Sequence, residues 1–155
     1  MSDKLHEDLS KLIADALEIR FSVMLVDDDG DFAEIHKSFV HIQQDLTALE
    51  SLLSSAMRAK AKLDRQVSVF RMQHQEQWDR AISQPGKKVS FSEYATGKEK
   101  AADANLATLN SARDLRKLED SQAFANEAVD VIRLHYYGLD KVRQDLRKRL
   151  DLMVG

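Results

Sequence analysis

Residues 31–83 read DFAEIHKSFVHIQQDLTALESLLSSAMRAKAKLDRQVSVFRMQHQEQWDRAIS. They contain neither Gly nor Pro, and their apolar residues recur in alternating steps of four and three. One set is Ile35, Ile42, Leu49, Ala56, Leu63 and Phe70; the interleaved set is Phe39, Leu46, Leu53, Lys60, Val67, His74 and Ala81. This is an a/d heptad seam, with Lys60, His74 and Gln77 as its polar breaks. One helix over about 31–83 spans roughly 75 Å at 1.5 Å per residue. No small globular domain is that wide, so other helices must cover its seam.

The rest of the chain supplies the cover. After the turn Gln84-Pro85-Gly86, Ser90 and Glu93 form a capping box, with Thr96 and Glu99 as an alternative start. A second seam then runs Ala101, Ala104, Thr108, Ser111, Leu115, Leu118, Gln122, Ala125, Val129, Ile132, Tyr136. Its first half is small and its second half large, which predicts close packing against the long helix. A second long helix is expected over about 91–137. Gly138 is expected to interrupt it and to set off a final helix carrying Leu139, Val142, Leu146, Leu150 and Met153 inward. At the other end, Leu5, Leu9, Leu12, Ile13, Ala16, Val23 and Met24 form the stripe of a first helix reaching about Val26. Asp31 then caps the long helix, with Glu34 three residues on. The fold class is all-α: a single domain of residues 1–155 built as an extended helical hairpin or coiled coil. It divides into an acidic helix and loop (1–30), the hairpin (31–137) and a C-terminal assembly helix (138–155).

Composition agrees with this. The 155 residues are 43% hydrophobic, with one Pro, five Gly and no Cys. Lacking Cys, the chain has neither a disulfide frame nor a thiolate metal site. Its start is acidic and has no apolar run of a signal peptide, and no stretch approaches a membrane span. A soluble, cytoplasmic protein is expected, in the host cytoplasm if viral, with no membrane partner. The net charge of −3 conceals an asymmetry. Residues 1–50 carry four basic against twelve acidic side chains, and residues 51–100 ten against five. A basic zone on an acidic protein suits a polyanion, or else the two segments pair with one another.

Cofactor and metal chemistry are not expected. Asp27, Asp29 and Asp31 match the first three ligand positions of a calcium loop, but Phe32 and Ser38 stand where it needs Gly and Glu. The five His show no metal-ligand spacing, and the acids are dispersed along helix faces. Coiled coils offer ridges rather than the convergent pockets of catalysis, so the chain reads as a non-enzyme with no catalytic residues.

The second half carries a family likeness. Phe91-Ser92-Glu93-Tyr94 follow the turn, and Lys98-Glu99-Lys100 open an Ala-rich helix. Phe124, Ala128, Asp130, Ile132, Arg133, the pair Tyr136-Tyr137, Leu139, Lys141 and Val142 precede a basic end. Over roughly residues 70–150 this resembles the bacteriophage recombination mediators of the UvsY type. The resemblance implies a small all-helical homo-oligomer that binds single-stranded DNA, contacts the single-strand-binding protein and loads a RecA-like recombinase. Gln75-Glu76-Gln77 stand where the family carries a Lys-x-Arg pair.

The residues themselves nominate a nucleic-acid site. Arg58, Lys62, Arg65, Arg71, Arg80, Lys87 and Lys88 would meet phosphates, and Trp78, Phe91 and Tyr94 would stack bases. Tyr136, Leu139, Val142, Leu146 and Leu150 are the candidate oligomer interface, since a lone hairpin leaves Val40, Leu52, Leu106 and Leu109 beside its seam uncovered. The rival reading is a coiled-coil adaptor or inhibitor, such as a phage anti-defence or scaffolding protein, that works through protein contacts without nucleic acid. Its acidic half would then imitate DNA.

Overall fold

The computed structural model describes residues 2–19, 30–83 and 97–155. Among them are four helices and no strand: α1 (Ser2–Glu18), α2 (Phe32–Ser83), α3 (Gly97–Ala107) and α4 (Leu109–Val154). The protein is an all-α helical hairpin whose arms are α2 on one side and α3 with α4 on the other. Val23, Met24, Asp27, Asp29, Ser90 and Glu93 lie outside the described residues.

α2 starts as its sequence dictates. Asp31 Oδ1 accepts a hydrogen bond from the Glu34 amide at 2.9 Å, and its carbonyl accepts from the Ile35 amide at 3.0 Å. One otherwise unpaired amide is thereby satisfied, and the carboxylate sits at the positive end of the helix. With no Gly or Pro to interrupt it, the helix continues unbroken to Ser83.

The chain forms two compact units. The first comprises residues 3–60 with 124–155, the second residues 61–123. In the first, Ile35, Ile42, Leu46, Leu49 and Ala56 of α2 meet Val129, Ile132, Leu139 and Leu146 of α4, and Ala16 of α1 completes the cluster. Leu12, Ile19, Phe39, Leu52, Leu53, Tyr136 and Leu150 pack around it. The rings of His6 and Phe124 stack 4.2 Å apart, tying α1 to α4. Burying each of these large aliphatic side chains contributes about 1.5–3 kcal/mol.

The second unit is built differently. Among its described residues, Leu63, Val67, Ala104, Thr108 and Ser121 are buried, so most of the described seam is small. The helices are held across that seam by polar pairs instead. Gln122 donates to Asp64 at 2.7 Å, Arg71 reaches Glu119 at 2.8 Å, His74 meets Ser111 at 2.7 Å, and the Trp78 indole donates to Asn105 at 3.2 Å. As the α2 number rises its partner's number falls, which fixes the arms as antiparallel here. The Ser111 hydroxyl gives its proton to the Thr108 carbonyl, so it accepts from His74 Nδ1–H.

Three features of the second arm differ from the sequence expectation. Its start, expected near 91, lies outside the described residues, and within the described part α3 and α4 meet at Thr108. There the Thr108 hydroxyl and amide both bond the Ala104 carbonyl, at 2.8 and 3.0 Å, and this sharing bends a helix without ending it. The arm also does not stop at Tyr137. α4 carries straight through Gly138, so residues 138–155 are its last turns and not a separate helix. A mid-helix Gly costs only about 1 kcal/mol relative to Ala, too little to break a helix whose flanks are both packed. The expected inward register also slips at two places. Met153 is 50% exposed near the end of the helix; Val142 faces outward at 37% exposure, and Arg143, half-buried, holds the seam position between Leu139 and Leu146.

Truncation should separate the two kinds of position on α2. Leu49→Ala, at a site with no exposure, should cost about 2–5 kcal/mol in chemical denaturation. Met72→Ala, at 59% exposure, should stay within about 0.5 kcal/mol.

Candidate nucleic-acid interface

Helical geometry places the basic side chains of α2. At 100° per residue, Lys62, Arg65, Val69, Met72, Glu76 and Arg80 fall in one stripe about 80° wide. Leu63, Val67 and His74 of the same unit lie on the opposite side of the helix, toward the second arm. All six stripe residues are exposed. Their charge arises from steps of three and four that run out of phase with the a/d seam, which is why they face solvent. Arg58 is one turn earlier on the helix, in the first unit; it is exposed and donates from Nε to the Ser54 carbonyl at 3.4 Å.

The nominated residues divide into four groups. Lys62, Arg65 and Arg80 stand together on the outward stripe, with Arg58 on the same helix. Arg71 points the other way, and both Nε and Nη2 reach Glu119 Oε1, at 2.9 and 2.8 Å. A guanidinium so engaged has a carboxylate partner already and is a cross-helix tie. Trp78 is half-buried and hydrogen-bonded to Asn105, which makes it a packing residue at the distal end rather than a free stacking platform. Lys87, Lys88, Phe91 and Tyr94 lie outside the described residues.

The nominated oligomer residues are mostly in use within the chain. Leu139 and Leu146 are 6% and 3% exposed inside the first unit's core, and Leu150 and Tyr136 pack on it. The Tyr136 hydroxyl donates to Glu50 at 2.9 Å. That hydrogen bond, with some desolvation and the Glu50 charge, pushes the phenol above its usual value near 10. Together with Gln43, Leu46, Thr47 and Arg143 these two residues line a cleft of about 290 Å³. Arg143 is turned toward Asp140 at 2.6 Å, so the cleft's charges are matched from within. Of the flanking apolar residues, Leu52 joins the core, whereas Val40, Leu106 and Leu109 are 39%, 71% and 42% exposed.

Sequence reading passed over two residues of the stripe. Val69 and Met72, 47% and 59% exposed, lie between Arg65 and Arg80 and give the basic face an apolar middle. Their signal was available, because both are apolar and both fall off the seam. No group of three or more His, Asp or Glu among the described residues is placed to hold a metal ion. None of the described helices is long and apolar enough to cross a membrane. No protein-family model, curated protein or solved structure matches the chain.

The Tyr136–Glu50 contact can be checked by titration. Because the folded phenol holds its proton more tightly than the unfolded one, its contribution to stability is complete below pH about 10 and disappears as the pH rises through the raised value. In a spectrophotometric titration the component removed by Tyr136→Phe should lie above the ordinary tyrosine range, and Glu50→Ala should bring it back.

Proposed function

We propose that this protein is a non-enzymatic recombination mediator that binds single-stranded DNA as a homo-oligomer and helps to load a RecA-like recombinase. The observation that carries the nucleic-acid part is the outward stripe of α2. Lys62, Arg65 and Arg80 are exposed on one straight helix face, turned away from the seam that holds the fold. A row of cations on a rigid rod suits a flexible polyanion. Attraction to phosphates is independent of sequence and draws its free energy from released counterions. Lys87 and Lys88 follow α2 in the chain and would extend the same field. Val69 and Met72 add apolar surface for unstacked bases to rest on. The recombinase and the single-strand-binding protein enter as partners through the sequence resemblance alone.

A second reading keeps the face and changes its partner. Val69 and Met72 are 47% and 59% exposed, and Glu76 interrupts the positive row. An apolar patch of mixed charge also suits a protein surface, which favours the adaptor or inhibitor role.

Fluorescence anisotropy with a labelled oligonucleotide separates the two readings. Binding should be indifferent to base sequence and should weaken steeply with salt, by about 0.7 in log–log slope per phosphate contact. The variant Lys62→Glu with Arg65→Glu should weaken binding and lower that slope by about 1.4, with helicity unchanged. Light scattering on the same protein should return a mass above the 17.6 kDa of one chain. Absence of binding at low salt by wild-type protein would favour the adaptor.

A further inference from the structure

The outward face of α4 in the first unit has an arrangement that no other described residue of the chain uses. Leu134, Tyr137, Gly138, Lys141, Asp145, Lys148 and Leu152 recur by threes and fours on the side opposite Ala125, Val129, Ile132 and Leu139. All seven are exposed, and the large ones strongly so: Leu134 72%, Tyr137 60% and Leu152 82%. Gly138 sits among them. A Cβ built there would meet nothing within 4 Å, so no contact among the described residues explains a residue that lowers helix stability. A small residue does allow another backbone to come close.

The stripe is also self-complementary in reverse. Read against itself in the antiparallel sense about a point near residue 143, Leu134 falls opposite Leu152, Lys141 opposite Asp145, and Tyr137 opposite Lys148. Each pairing occurs twice, once on either side of that point. The parallel arrangement would instead set Lys141 against Lys141 and Asp145 against Asp145, which repel. We propose that a second copy of this chain covers the outward face of α4, the two helices crossing antiparallel about a two-fold axis near residue 143. Such a contact is isologous: the same patch serves on both copies, and the pair closes at two. The Leu134–Leu152 contacts seal both ends, Gly138 lets the helices approach, and the Lys141–Asp145 pairs set register and direction. Lys148 and Asp145 now pair within one helix at 3.9 Å, at 77% and 58% side-chain exposure. So exposed a pair is worth little and is readily exchanged for one between copies.

The contact deepens the oligomer part of the function proposed above and is independent of nucleic-acid binding. It differs from the assembly residues read from sequence, because Leu139 and Leu146 belong to the core and the outer stripe replaces them.

Charge exchange tests it without DNA present. Lys141→Asp leaves two acids at the centre of the stripe, and Asp145→Lys leaves two bases. Alone, each variant should repel its own copies and run in sedimentation velocity at half the wild-type mass. Mixed in equal amounts they should recover the wild-type mass, because an antiparallel pair of the two restores both attractions. Register is read separately. The protein has no Cys, so single introduced thiols are unambiguous. Leu134→Cys mixed with Leu152→Cys should cross-link on oxidation. Leu134→Cys alone should not, since its two copies would lie about 27 Å apart along the helices. The proposal is overturned if wild-type protein is monomeric, if either charge variant keeps the wild-type mass, or if the mixture stays at the mass of the single variants. A wild-type oligomer that ignores these substitutions would remove this contact and leave the homo-oligomer reading standing. Loss of DNA binding with the mass pattern intact would do the reverse.

Discussion

The constraint behind the whole structure is that a helix of 52 residues cannot hide its own apolar stripe. α2 presents a continuous seam and has no bend with which to fold back on itself. A second arm must therefore run beside it, and the a/d spacing of that arm follows from the same need. The two units fill the seam in different ways. In the first, ten buried residues from three helices interlock as an apolar core. In the second, small residues let the arms approach, and four side-chain pairs bridge them. Hydrogen bonds and half-exposed ion pairs each contribute about 1 kcal/mol or less in net terms, against about 1.5–3 kcal/mol for a buried aliphatic side chain. The second unit is thus directional and specific, with a thinner apolar reserve.

This division leaves surface free on each unit. Because few large side chains are buried among the described residues of the second unit, Val69 and Met72 remain outside, next to Lys62, Arg65 and Arg80. The first unit buries its large residues inward and keeps a different face outward, the Leu134–Leu152 stripe of α4. One helix pair thereby carries a basic face on one unit and a self-complementary face on the other. A protein that tracks a polyanion and multiplies its grip by pairing with itself would use both.

Much of this was legible in the sequence. Heptad spacing names Ile35, Ile42, Leu49, Ala56, Leu63 and Phe70; the first five are buried, and Phe70 is 37% exposed. Asp31 with Glu34 marks the start of α2 and forms the cap. The change from small to large seam residues near Leu115 foreshadows the two kinds of packing. Three things were less legible. Gly138 looks like a stop in any local reading, yet packing on both sides of it holds the helix together. Val142 and Arg143 exchange places because a seam position accepts an Arg once Asp140 neutralises it, and hydrophobicity alone assigns the wrong one. The fates of Arg71 and Trp78 depended on Glu119 and Asn105, which lie 48 and 27 residues away and come near only in the folded hairpin. Arg65 and Arg71 look alike as letters; what distinguishes the outward one from the tied one is Glu119 on the far arm.

The claim that one seam is filled in two ways is most directly tested by native-state amide hydrogen exchange along α2 and α4. Residues 42–56 and 125–139 should show the strongest protection, near the global stability, with lower-energy openings for residues 70–82 and 109–118. Equal protection along the full length of both helices would contradict it.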